Sequence, residues 1–568
     1  MVKSRWNVRR ADPKLVDSLC EKLEVDPLVA QILIHRGLAD AEQAAVFLNP
    51  RLEDLHDPSL MLGVDRVVAR ILKARDRHEK VLIYGDYDVD GITSTAVLKR
   101  ALEMVGIEVD FYLPRRLEEG YGLKTEVIKR AHEQGFSLVI TADSGIRAFE
   151  VCAAARELGL DLVVTDHHLP DTRLPDAWAI VNPRQPACKY PDKNLAAVGV
   201  VFKLVQALFR QVGRQNVVHH FLKLVAIGTI ADLVPLVGEN RTLTRFGLDG
   251  LASPRNLGLK ALLEGAGVGE RISPFDIGFK VAPRINAVTR MGGGREVVDL
   301  FSVKDSQTAK RIVEEMNSKN LLRRATEQGI LEGLEEQLDR HPEQLERKFV
   351  VLSGQNWHRG VIGIVASRIV DRCYRPTLIL SLDENGAQGS GRSVPGFHIL
   401  DALTSCRDLF AKFGGHAQAV GCTLTGPNLE SKVTRLEERL EEYAREHLSD
   451  DLLVPSLDID AILPVEQLSF SLLDKLEQLS PFGMGNPVPV FASQSAPLAA
   501  GPFLIKEKHL KLYVGTNGHR LEAIWWRNGS VAASLEQATS LDLAYTLSRE
   551  VYMGETKLLL TIEDLRAV

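Results

Sequence analysis

Three carboxylates at alternate positions are the residues in this sequence that most clearly indicate chemistry. Asp86, Asp88 and Asp90 belong to the segment DYDVDG, which ends at Gly91 and follows an apolar stretch of strand length. Carboxylates at this spacing repel one another unless cations neutralise them, so the segment predicts a metal site. A calcium loop or a solvated acidic turn is the alternative. An EF-hand is disfavoured, because its twelfth loop position needs a bidentate acid and is Val97 here.

Two further groups of candidate ligands follow apolar stretches in the same way. Asp143 lies in the segment TADSG, and Asp166, His167 and His168 begin the segment DHHLP. A single Asp at such a position can also cap a helix, so Asp143 alone leaves both interpretations open. Two adjacent histidines after an apolar strand are uncommon, and Asp166 could orient an imidazole. The pair His219-His220 has no acids nearby and is interpreted as structural.

A fourth candidate is Asp232, the one acid in the apolar segment GTIADLVPL. A buried carboxylate needs a cation or several hydrogen-bond donors, although a helix cap is the alternative interpretation. Carboxylate oxygens with one or two imidazole nitrogens suit Mn²⁺ or Mg²⁺. Two such ions about 3.5–4 Å apart activate water and stabilise the entering and leaving oxygens of a phosphoryl displacement. The candidate residues therefore predict a metal-dependent nuclease.

The elements that must position these residues alternate between strand-like and helix-like segments. Apolar runs of strand length begin at Val81, Val109, Leu138 and Leu162, and helix-forming segments such as Thr93–Val105 lie between them. This alternation predicts βαβ units and a parallel sheet covered by helices. Ligands of such sheets bind beyond the carboxyl ends of the strands, which is where the acidic and histidine groups lie. We therefore expect these groups to converge on one site.

Length and composition narrow the class of protein. The chain has 568 residues, of which 45% are hydrophobic and 25% charged, and a formal net charge of −6. These values predict several globular domains. A negative net charge does not exclude a nucleic-acid substrate, because metal ions and a local basic groove can bind the phosphates. The six cysteines lack CxxC spacing, which disfavours a zinc ribbon or disulfide framework and favours a cytoplasmic protein. Neither a signal peptide nor a transmembrane stretch is predicted.

The rest of the chain divides into segments of different character. Residues 1–75 are predicted to form a helical N-terminal extension, and residues 196–280 to be mostly helical. One long charged helix is predicted over residues 304–340. A second α/β lobe is predicted from Phe349 to about residue 448. Short β-prone segments separated by turns predict a small β-barrel in the remainder of the chain.

The four motifs together resemble motifs I to IV of the DHH phosphoesterase family, in the same order. Further segments resemble the branch of that family that degrades single-stranded DNA from its 5′ end. They are residues 114–122 (PRRLEEGYG), 357–368 (WHRGVIGIVASR), 389–393 (GSGRS) and 413–416 (FGGH). The motifs cover roughly residues 60–425. The resemblance implies a 5′→3′ exonuclease that releases nucleotide 5′-monophosphates in DNA repair and recombination.

The resemblance also implies an α/β fold in five parts. These are an N-terminal extension (1–75), a DHH-type parallel-sheet catalytic domain (76–300), a connecting helix (301–345), a second α/β nucleic-acid-binding lobe (346–450) and an OB-like β-barrel (451–568). An OB fold binds single strands by stacking bases on aromatic rings and following phosphates with cations. The adjacent Trp525 and Trp526 would point to opposite faces of a strand, so one of them is expected in the core.

Specific roles follow from the resemblance for the candidate site. It implies that two Mn²⁺ or Mg²⁺ ions are bound by Asp86, Asp88, Asp143, His167 and Asp232, with Asp143 as the bridge. His168 would complete the catalytic set by contacting the scissile phosphate or a metal-bound water. Asp90 and Asp166 would hold the ligand residues in position without binding the metal ions themselves.

Substrate contacts are implied at other positions. The 5′ phosphate would be held by Arg116 and by a glycine-rich turn that contains Ser390 and Arg392, because the planar guanidinium matches phosphate oxygens. The strand would be contacted by His358, His416, Arg284 and Arg290. A local hydrogen bond that fixes a turn is the alternative for His358, and a similar loop contact is the alternative for His416.

One segment departs from the family pattern. Where the branch usually has the sequence NAAGR, this chain has Asn286, Ala287, Val288, Thr289 and Arg290. Because β-branched residues disfavour positive φ, we expect a different local turn, which leaves the role of Arg290 open.

Two rival functions remain at this point. One is a DHH enzyme acting on short substrates such as nano-RNA, cyclic dinucleotides or pyrophosphate, although the long tail disfavours it. The other is a catalytically silent DNA-binding scaffold, which would require lost metal ligands. The expected partners are single-stranded DNA, a single-strand-binding protein and a helicase. The protein is expected to be a monomer and not to bind membranes.

Overall fold

The computed structural model describes residues 4–115, 119–120, 122–516, 518–552 and 554–568. The chain forms two compact units. Unit A comprises Asn49–Ala325 and Pro481–Pro487, and unit B comprises Met1–Leu48, Thr326–Ser480 and Val488–Val568. Within the described ranges, no helix combines the length and the apolar character needed to cross a membrane.

The strands are numbered in chain order. They are β1 (Arg5–Val8), β2 (Lys80–Gly85), β3 (Val109–Tyr112), β4 (Phe136–Ala142), β5 (Asp161–Thr165), β6 (Ala179–Val181), β7 (Val350–Gln355), β8 (Thr377–Asp383), β9 (Gly386–Arg392), β10 (Lys412–Gly415), β11 (Ala419–Leu424), β12 (Ser456–Ile459), β13 (Ala461–Ile462), β14 (Phe491–Ile505), β15 (His509–Thr516), β16 (His519–Trp525), β17 (Ser540–Tyr552) and β18 (Glu555–Ala567).

Unit A is built on a five-stranded sheet in the order β3-β2-β4-β5-β6, in which all neighbouring strands are parallel. Both faces are buried, because successive side chains of each strand enter opposite cores. Val81 and Ile83 lie in one hydrophobic core, and Leu82 and Tyr84 lie in the other. The predicted parallel sheet is therefore confirmed.

Helices cover this sheet and extend unit A beyond it. They are Val64–Asp76, Val89–Met104, Thr125–Glu133, Phe149–Glu157, Ala197–Gln211, Leu222–Ala231, Gly238–Leu251, Leu257–Gly265, Pro274–Asp276, Ala282–Arg290 and Arg295–Leu300, with a π-helical turn at Ile277–Val281. The mostly helical character predicted for residues 196–280 is confirmed. So is the long helix, which spans Ser306–Arg340 and contributes to both units.

The segment that departs from the family pattern, residues 286–290, is helical in the structure. Val288 and Thr289 lie inside helix Ala282–Arg290, and both side chains are buried. The prediction of a turn at this point was wrong. Because β-branched residues are tolerated in a packed helix and need no positive φ there, their presence is compatible with this structure.

Unit B contains the second α/β lobe, as predicted. Its mixed sheet has the order β10-β11-β9-β8-β7, with β7 and β8 parallel and the other pairs antiparallel. Its helices are Ile362–Cys373, Ile399–Ser405 and Leu429–His447. The remaining helices of unit B are Pro13–Leu23, Pro27–His35, Ala41–Leu48 and Phe470–Glu477.

The predicted C-terminal β-barrel is also present in unit B. Strands β14, β15, β16, β18 and β17 follow one another around it, and a β14–β17 pairing closes the ring. The β16–β18 pair is parallel, and β13 adds to β14 outside the ring. The N-terminal extension was predicted to be helical, and it does contain helices, but it also contains β1, which pairs with β12 in a separate two-stranded sheet. That correction reflects a partner some 450 residues away, which local sequence patterns do not reveal.

Candidate metal centre

The first acidic motif forms the junction between β2 and the following helix. Asp86 is buried directly after β2, and Asp88 caps helix Val89–Met104 by accepting a hydrogen bond from the Gly91 N–H at 2.9 Å. A Cβ atom at Gly91 would lie 2.7 Å from the Asp86 Cβ, so glycine is needed for this close turn. The helix therefore begins before Thr93, where the sequence had placed its start.

Asp143 occupies the corresponding position after β4. Its backbone has a φ of 70°, a conformation that non-glycine residues rarely adopt, and its N–H donates to the Thr165 carbonyl at 3.1 Å. Burial raises the pKa of Asp143 well above its usual value, and the charges of nearby carboxylates raise it further. A metal-free Asp143 is thus costly to ionise.

The third motif forms a compact hydrogen-bonded group after β5. The buried carboxylate of Asp166 accepts the N–H of Ile146 at 2.9 Å, the N–H of His167 at 2.7 Å and a contact from His168 Nδ1 at 2.7 Å. Burial opposes protonation of His168, but the hydrogen bond and charge of Asp166 outweigh it and raise the pKa of that imidazole. The fixed carboxylate of Asp166 therefore orients His168.

His167 has the opposite electrostatic environment. Burial first, and then the charge of the neighbouring His168, lowers its pKa to about 4. The imidazole is therefore neutral at physiological pH, which is the form that binds metals. Its Nε2 lies 3.4 Å from Asp143 Oδ1 and 3.6 Å from Asp232 Oδ2.

Asp232 reaches the cluster from the end of helix Leu222–Ala231. Burial raises its pKa to about 9, and the charges of Asp90 and Asp88 contribute to that rise. The helix can approach closely because Gly228 faces its neighbours: a Cβ there would clash with Thr93 and lie 2.8 Å from Val198 Cγ1. Gly228 thus allows the approach that brings Asp232 to His167.

Asp90 lies in the same cluster but is engaged with the backbone. Its two oxygens accept the N–H groups of Ala197 at 2.7 Å and Val198 at 2.8 Å, at the start of helix Ala197–Gln211. A carboxylate at a helix N-terminus satisfies donors that have no partner inside the helix and interacts favourably with the helix dipole. Burial, and then the charge of Asp88, raises the pKa of Asp90 to about 7.

The donor atoms of these side chains fit divalent cations. In three groups of residues, one ligand atom from each member lies within 4.8 Å of the others. The groups are Asp86 with Asp88 and Asp143, Asp143 with His167 and His168, and Asp90 with His167 and Asp232. Asp143 and His167 each belong to two groups.

Unsatisfied polar atoms support the same conclusion. Asp143 Oδ1 and both ring nitrogens of His167 are buried and make no hydrogen bond of ordinary geometry to the residues that the structure describes. Buried polar groups are normally paired. Cations would neutralise the carboxylates and satisfy these atoms, so the residues present suit a centre of two hard metal ions.

The structure describes two of the three 5′-phosphate candidates, Ser390 and Arg392. Arg116 falls outside the described residues. Ser390 and Arg392 lie in unit B, where Arg392 Nη1 donates to the Gly391 carbonyl at 2.7 Å and lies 3.3 Å from Ser390 Oγ. The glycine-rich turn expected here was wrong: both residues belong to β9, which pairs with β8 and β11 on its two sides. Their backbone amides are therefore part of a sheet.

Of the remaining strand-contact candidates, His358 makes the local contact expected as its alternative role. Its Nδ1 accepts the Gly360 N–H at 3.2 Å, and burial lowers its pKa. His416 is exposed, and its N–H donates to the Ala419 carbonyl at 2.8 Å. In unit A, Arg284 Nε donates to Asn317 Oδ1 at 2.7 Å, and Arg290 is in the last turn of its helix.

Sequence reasoning missed Asn182 and Arg184 beside the cluster. The buried Asn182 donates to the His168 carbonyl at 2.9 Å and accepts the Arg184 N–H at 2.7 Å. The charge of Arg184 opposes the rise in the pKa of Asp232. Both residues follow β6, so the rule that located the other motifs at strand ends could have found them.

Family models match three parts of the chain. The model described as the DHH family, N-terminal domain, matches residues 80–229, the DHHA1 domain matches residues 346–446 and the RecJ OB domain matches residues 459–564. The three matches follow the order of the parallel-sheet unit, the second lobe and the barrel. The domain boundaries expected from sequence stay predictions.

Similar proteins extend over nearly all of the chain. The single-stranded-DNA-specific exonuclease RecJ of Bacillus subtilis is 38% identical over 99% of this chain and 71% of its own length. RecJ of Escherichia coli is 33% identical over 95% of this chain and 96% of its own length. The crystal structure of RecJ from Thermus thermophilus in complex with Mn²⁺ has a TM-score of 0.85 and 29% identity, covering 100% of this chain and 80% of that one. Its complex with Mg²⁺ has a TM-score of 0.78 and 28% identity, covering 100% and 79%.

Proposed function

We propose that this chain, which belongs to the RecJ family, is a single-stranded-DNA-specific 5′→3′ exonuclease. It releases nucleotide 5′-monophosphates by two-metal-ion phosphodiester hydrolysis and acts in DNA repair and recombination. One observation carries the proposal: of the three groups of ligand atoms, two contain Asp143 and two contain His167, so neighbouring groups overlap. Two ions held by shared ligands can stabilise both the attacking and the leaving oxygen of an in-line phosphoryl displacement.

The proposed ligands divide between two ions. Asp86, Asp88 and Asp143 would hold one ion, and Asp143, His167 and Asp232 would hold the other, with Asp143 shared by both. Mn²⁺ or Mg²⁺ is the proposed cofactor, since related structures contain each ion. When bound, the ions supply a hydroxide at neutral pH and neutralise the charge that develops on the phosphate.

The protein's own groups orient the reacting phosphate. The raised pKa of His168 favours the protonated imidazole, which could donate a hydrogen bond to a phosphate oxygen, and Asp166 with Asn182 holds that residue in place. Asp90 fixes the start of helix Ala197–Gln211 beside the ligands. These residues position the site and need not bind metal themselves.

The 5′ end of the strand is proposed to bind at Arg116, Ser390 and Arg392. Arg392 is supported by its contact with Ser390 and by the small Gly363: a Cβ there would lie 3.1 Å from Arg392 Nη2. In this proposal, anchoring of the 5′ phosphate accounts for the release of one nucleotide at a time. His358, His416, Arg284 and Arg290 are proposed to contact the strand.

Single-stranded DNA is the substrate in this proposal, and the barrel is a second place where it binds. A single-strand-binding protein and a helicase are the proposed partners of a monomeric cytoplasmic enzyme. The bases would stack on exposed aromatic rings of the barrel, of which Trp526 is one.

The test uses a 5′-labelled single strand incubated with Mn²⁺. The wild-type protein is expected to release labelled mononucleotide. Asp143→Ala should slow release at least about a hundredfold, since loss of a bridging ligand removes several kcal/mol of transition-state stabilisation. Asp176→Ala is the matched control, because Asp176 is an exposed acid whose partner is Arg156.

Three results would contradict the proposal. Full activity of Asp143→Ala would remove the metal-centre assignment. An intact long strand together with cleavage of dinucleotides would indicate a short-substrate DHH enzyme. Binding of the strand without Mn²⁺-dependent cleavage would indicate a scaffold.

A further inference from the structure

Two phenylalanine rings lie exposed on the surface of unit A. Phe275 and Phe279 have 61% and 65% of their surface exposed. Their rings stack on each other, with centroids 4.6 Å apart and planes inclined by 26°. Large apolar groups exposed together usually mark an interaction site. A flat pair of rings suits a flat aromatic ligand such as a nucleobase.

The backbone that carries these rings is irregular but well fixed. Phe279 lies in the π-helical turn Ile277–Val281, and such turns are rare and often occur at functional sites. Asp276 forms a capping box with Ser273 and an ion pair with Lys280 at 2.7 Å. Because these contacts hold the turn, the exposed rings are not needed for its stability.

Arg284 contacts the backbone segment that carries the rings. Arg284 Nη1 donates to the Lys280 carbonyl at 2.6 Å, next to Phe279 in the chain, while its Nε contacts Asn317. Burial lowers the pKa of Arg284, and the nearby charge of Arg324 lowers it further. Leu321, one helical turn beyond Asn317, is 65% exposed. We call this surface the phenylalanine patch: Phe275, Phe279, Arg284, Leu321 and Arg324.

The phenylalanine patch belongs to the packed body that carries the metal ligands. Its π-helical turn packs against helix Leu222–Ala231, which leads directly into Asp232. The next helix, Ala282–Arg290, packs against the helix that Asp88 caps. An occupant of the patch can therefore be part of the same substrate that the metal centre binds.

We propose that Phe275 and Phe279 form a stacking site for a base of single-stranded DNA, with Arg284 and Arg324 binding adjacent phosphates. The choice of DNA as the occupant rests on the proposed function. Aromatic rings on a segment that an arginine contacts, with a second arginine near the first, suit alternating bases and phosphates, whereas an apolar protein partner would gain little from the two cations. The site distinguishes a strand with bases from one without them.

The test compares two strands of equal length, dT20 and an abasic 20-mer, both 5′-phosphorylated and fluorescently labelled. Binding of the full-length protein is followed by anisotropy in EDTA. The double variant Phe275→Leu/Phe279→Leu is expected to bind dT20 about tenfold more weakly, because one stacking interaction is lost. Its affinity for the abasic strand should not change. Phe279→Trp, which keeps an aromatic ring, should retain the wild-type affinity for dT20.

The control is Leu60→Ala/Leu62→Ala, a pair of comparably apolar exposed side chains of unit A outside the patch. Unchanged binding of dT20 by the Phe275→Leu/Phe279→Leu variant would overturn the inference, and so would equal losses for both strands. If the wild-type protein binds dT20 more tightly than the abasic strand but does not cleave dT20 with Mn²⁺, the stacking site is supported and the proposed exonuclease activity is refuted. The two failures are therefore distinguishable.

Discussion

The carboxylates of the metal centre destabilise the folded chain when cations are absent. Asp143 and Asp232 both have raised pKa values, in each case because of burial first and neighbouring carboxylates second. Asp90 belongs to the same group of charges, yet it also holds the start of helix Ala197–Gln211. Metal binding and folding stability are therefore linked at these residues.

Asp232→Asn should stabilise the metal-free protein at alkaline pH. The folded-state pKa of Asp232 is about 9 against an ordinary value of 3.8, so the folded state retains a proton that the unfolded chain has lost. The contribution of Asp232 to the free energy of unfolding of the metal-free protein therefore falls as the pH rises from about 4 to about 9. In EDTA at pH 8 the variant should exceed the wild type by more than about 1 kcal/mol, since each pKa unit corresponds to about 1.4 kcal/mol. Urea unfolding measures this.

Two comparisons complete that experiment. The advantage of Asp232→Asn should disappear near pH 4, and Mn²⁺ should reverse it, because the wild type binds the ion more tightly. Asp176→Asn, at an exposed site, should change neither the pH dependence of the free energy of unfolding nor the effect of Mn²⁺ on it. A variant less stable than the wild type at pH 8 in EDTA would contradict the argument.

Among the elements, helix Leu222–Ala231 depends on close packing at Gly228. Gly228→Ala should cost about 1–3 kcal/mol, because an added Cβ clashes with Thr93 and approaches Val198. The helix must shift to relieve this clash, and the shift should also move Asp232. Activity should therefore fall by more than the loss of folded protein explains. Thermal unfolding and single-strand cleavage with Mn²⁺ measure the two effects.

Gly329→Ala is the matched control for Gly228→Ala. Gly329 also lies inside a helix, but a Cβ there meets nothing within 4 Å. Its replacement should stabilise the helix by up to about 1 kcal/mol and leave cleavage unchanged. Equal effects of both substitutions would show that helix propensity, rather than the packing of Gly228, explains the result.

The elements of the catalytic sheet could be predicted because their signals are local. Val81 and its neighbours form an apolar run, and Asp86 follows it directly, so both the strand and the site at its end were predictable. Asp90 could not be assigned its hydrogen bonds, because its partners Ala197 and Val198 lie more than 100 residues later in the chain. The start of helix Val89–Met104 was missed because the segment from Asp88 to Gly91, with its two aspartates and its glycine, has the composition of an acidic loop.

In the whole molecule, the barrel was predictable as β-rich sequence, but not its closure. The β14–β17 pairing and the parallel β16–β18 pair join segments that no local pattern connects. The expectation that one of the two adjacent tryptophans is core is confirmed, with Trp525 7% exposed and Trp526 47% exposed. The sequence did not tell which one.

The two tryptophans should respond differently to replacement. Trp526→Ala should weaken binding of dT20 about fivefold to a hundredfold, as loss of a stacked base does, with little change in stability. Trp525→Ala should destabilise the barrel by about 3–5 kcal/mol, because it removes a buried aromatic side chain. Anisotropy and urea unfolding distinguish the two outcomes, and a stable Trp525→Ala protein would contradict the assignment of Trp525 to the core.

The chain also returns to unit A for seven residues, Pro481–Pro487, between segments of unit B. There the Met484 carbonyl accepts the Leu236 N–H at 2.7 Å, and the buried Asn486 donates to the Pro481 carbonyl at 3.0 Å. Leu236 lies four residues after Asp232 in the same loop. The segment therefore supports the loop that follows Asp232, a proposed metal ligand, from a distant part of the sequence.

Gly483→Ala should disturb this support, because its Cβ would lie 2.6 Å from Leu236 Cδ1. We expect kcat on single strands to fall by about tenfold to a hundredfold, since small misplacements of a catalytic group have effects of this size. Affinity for dT20 in EDTA should stay unchanged. Gly269→Ala is the control, because a Cβ at that exposed glycine meets nothing within 4 Å. A Gly483→Ala enzyme with normal kcat would show that Asp232 keeps its position without the segment.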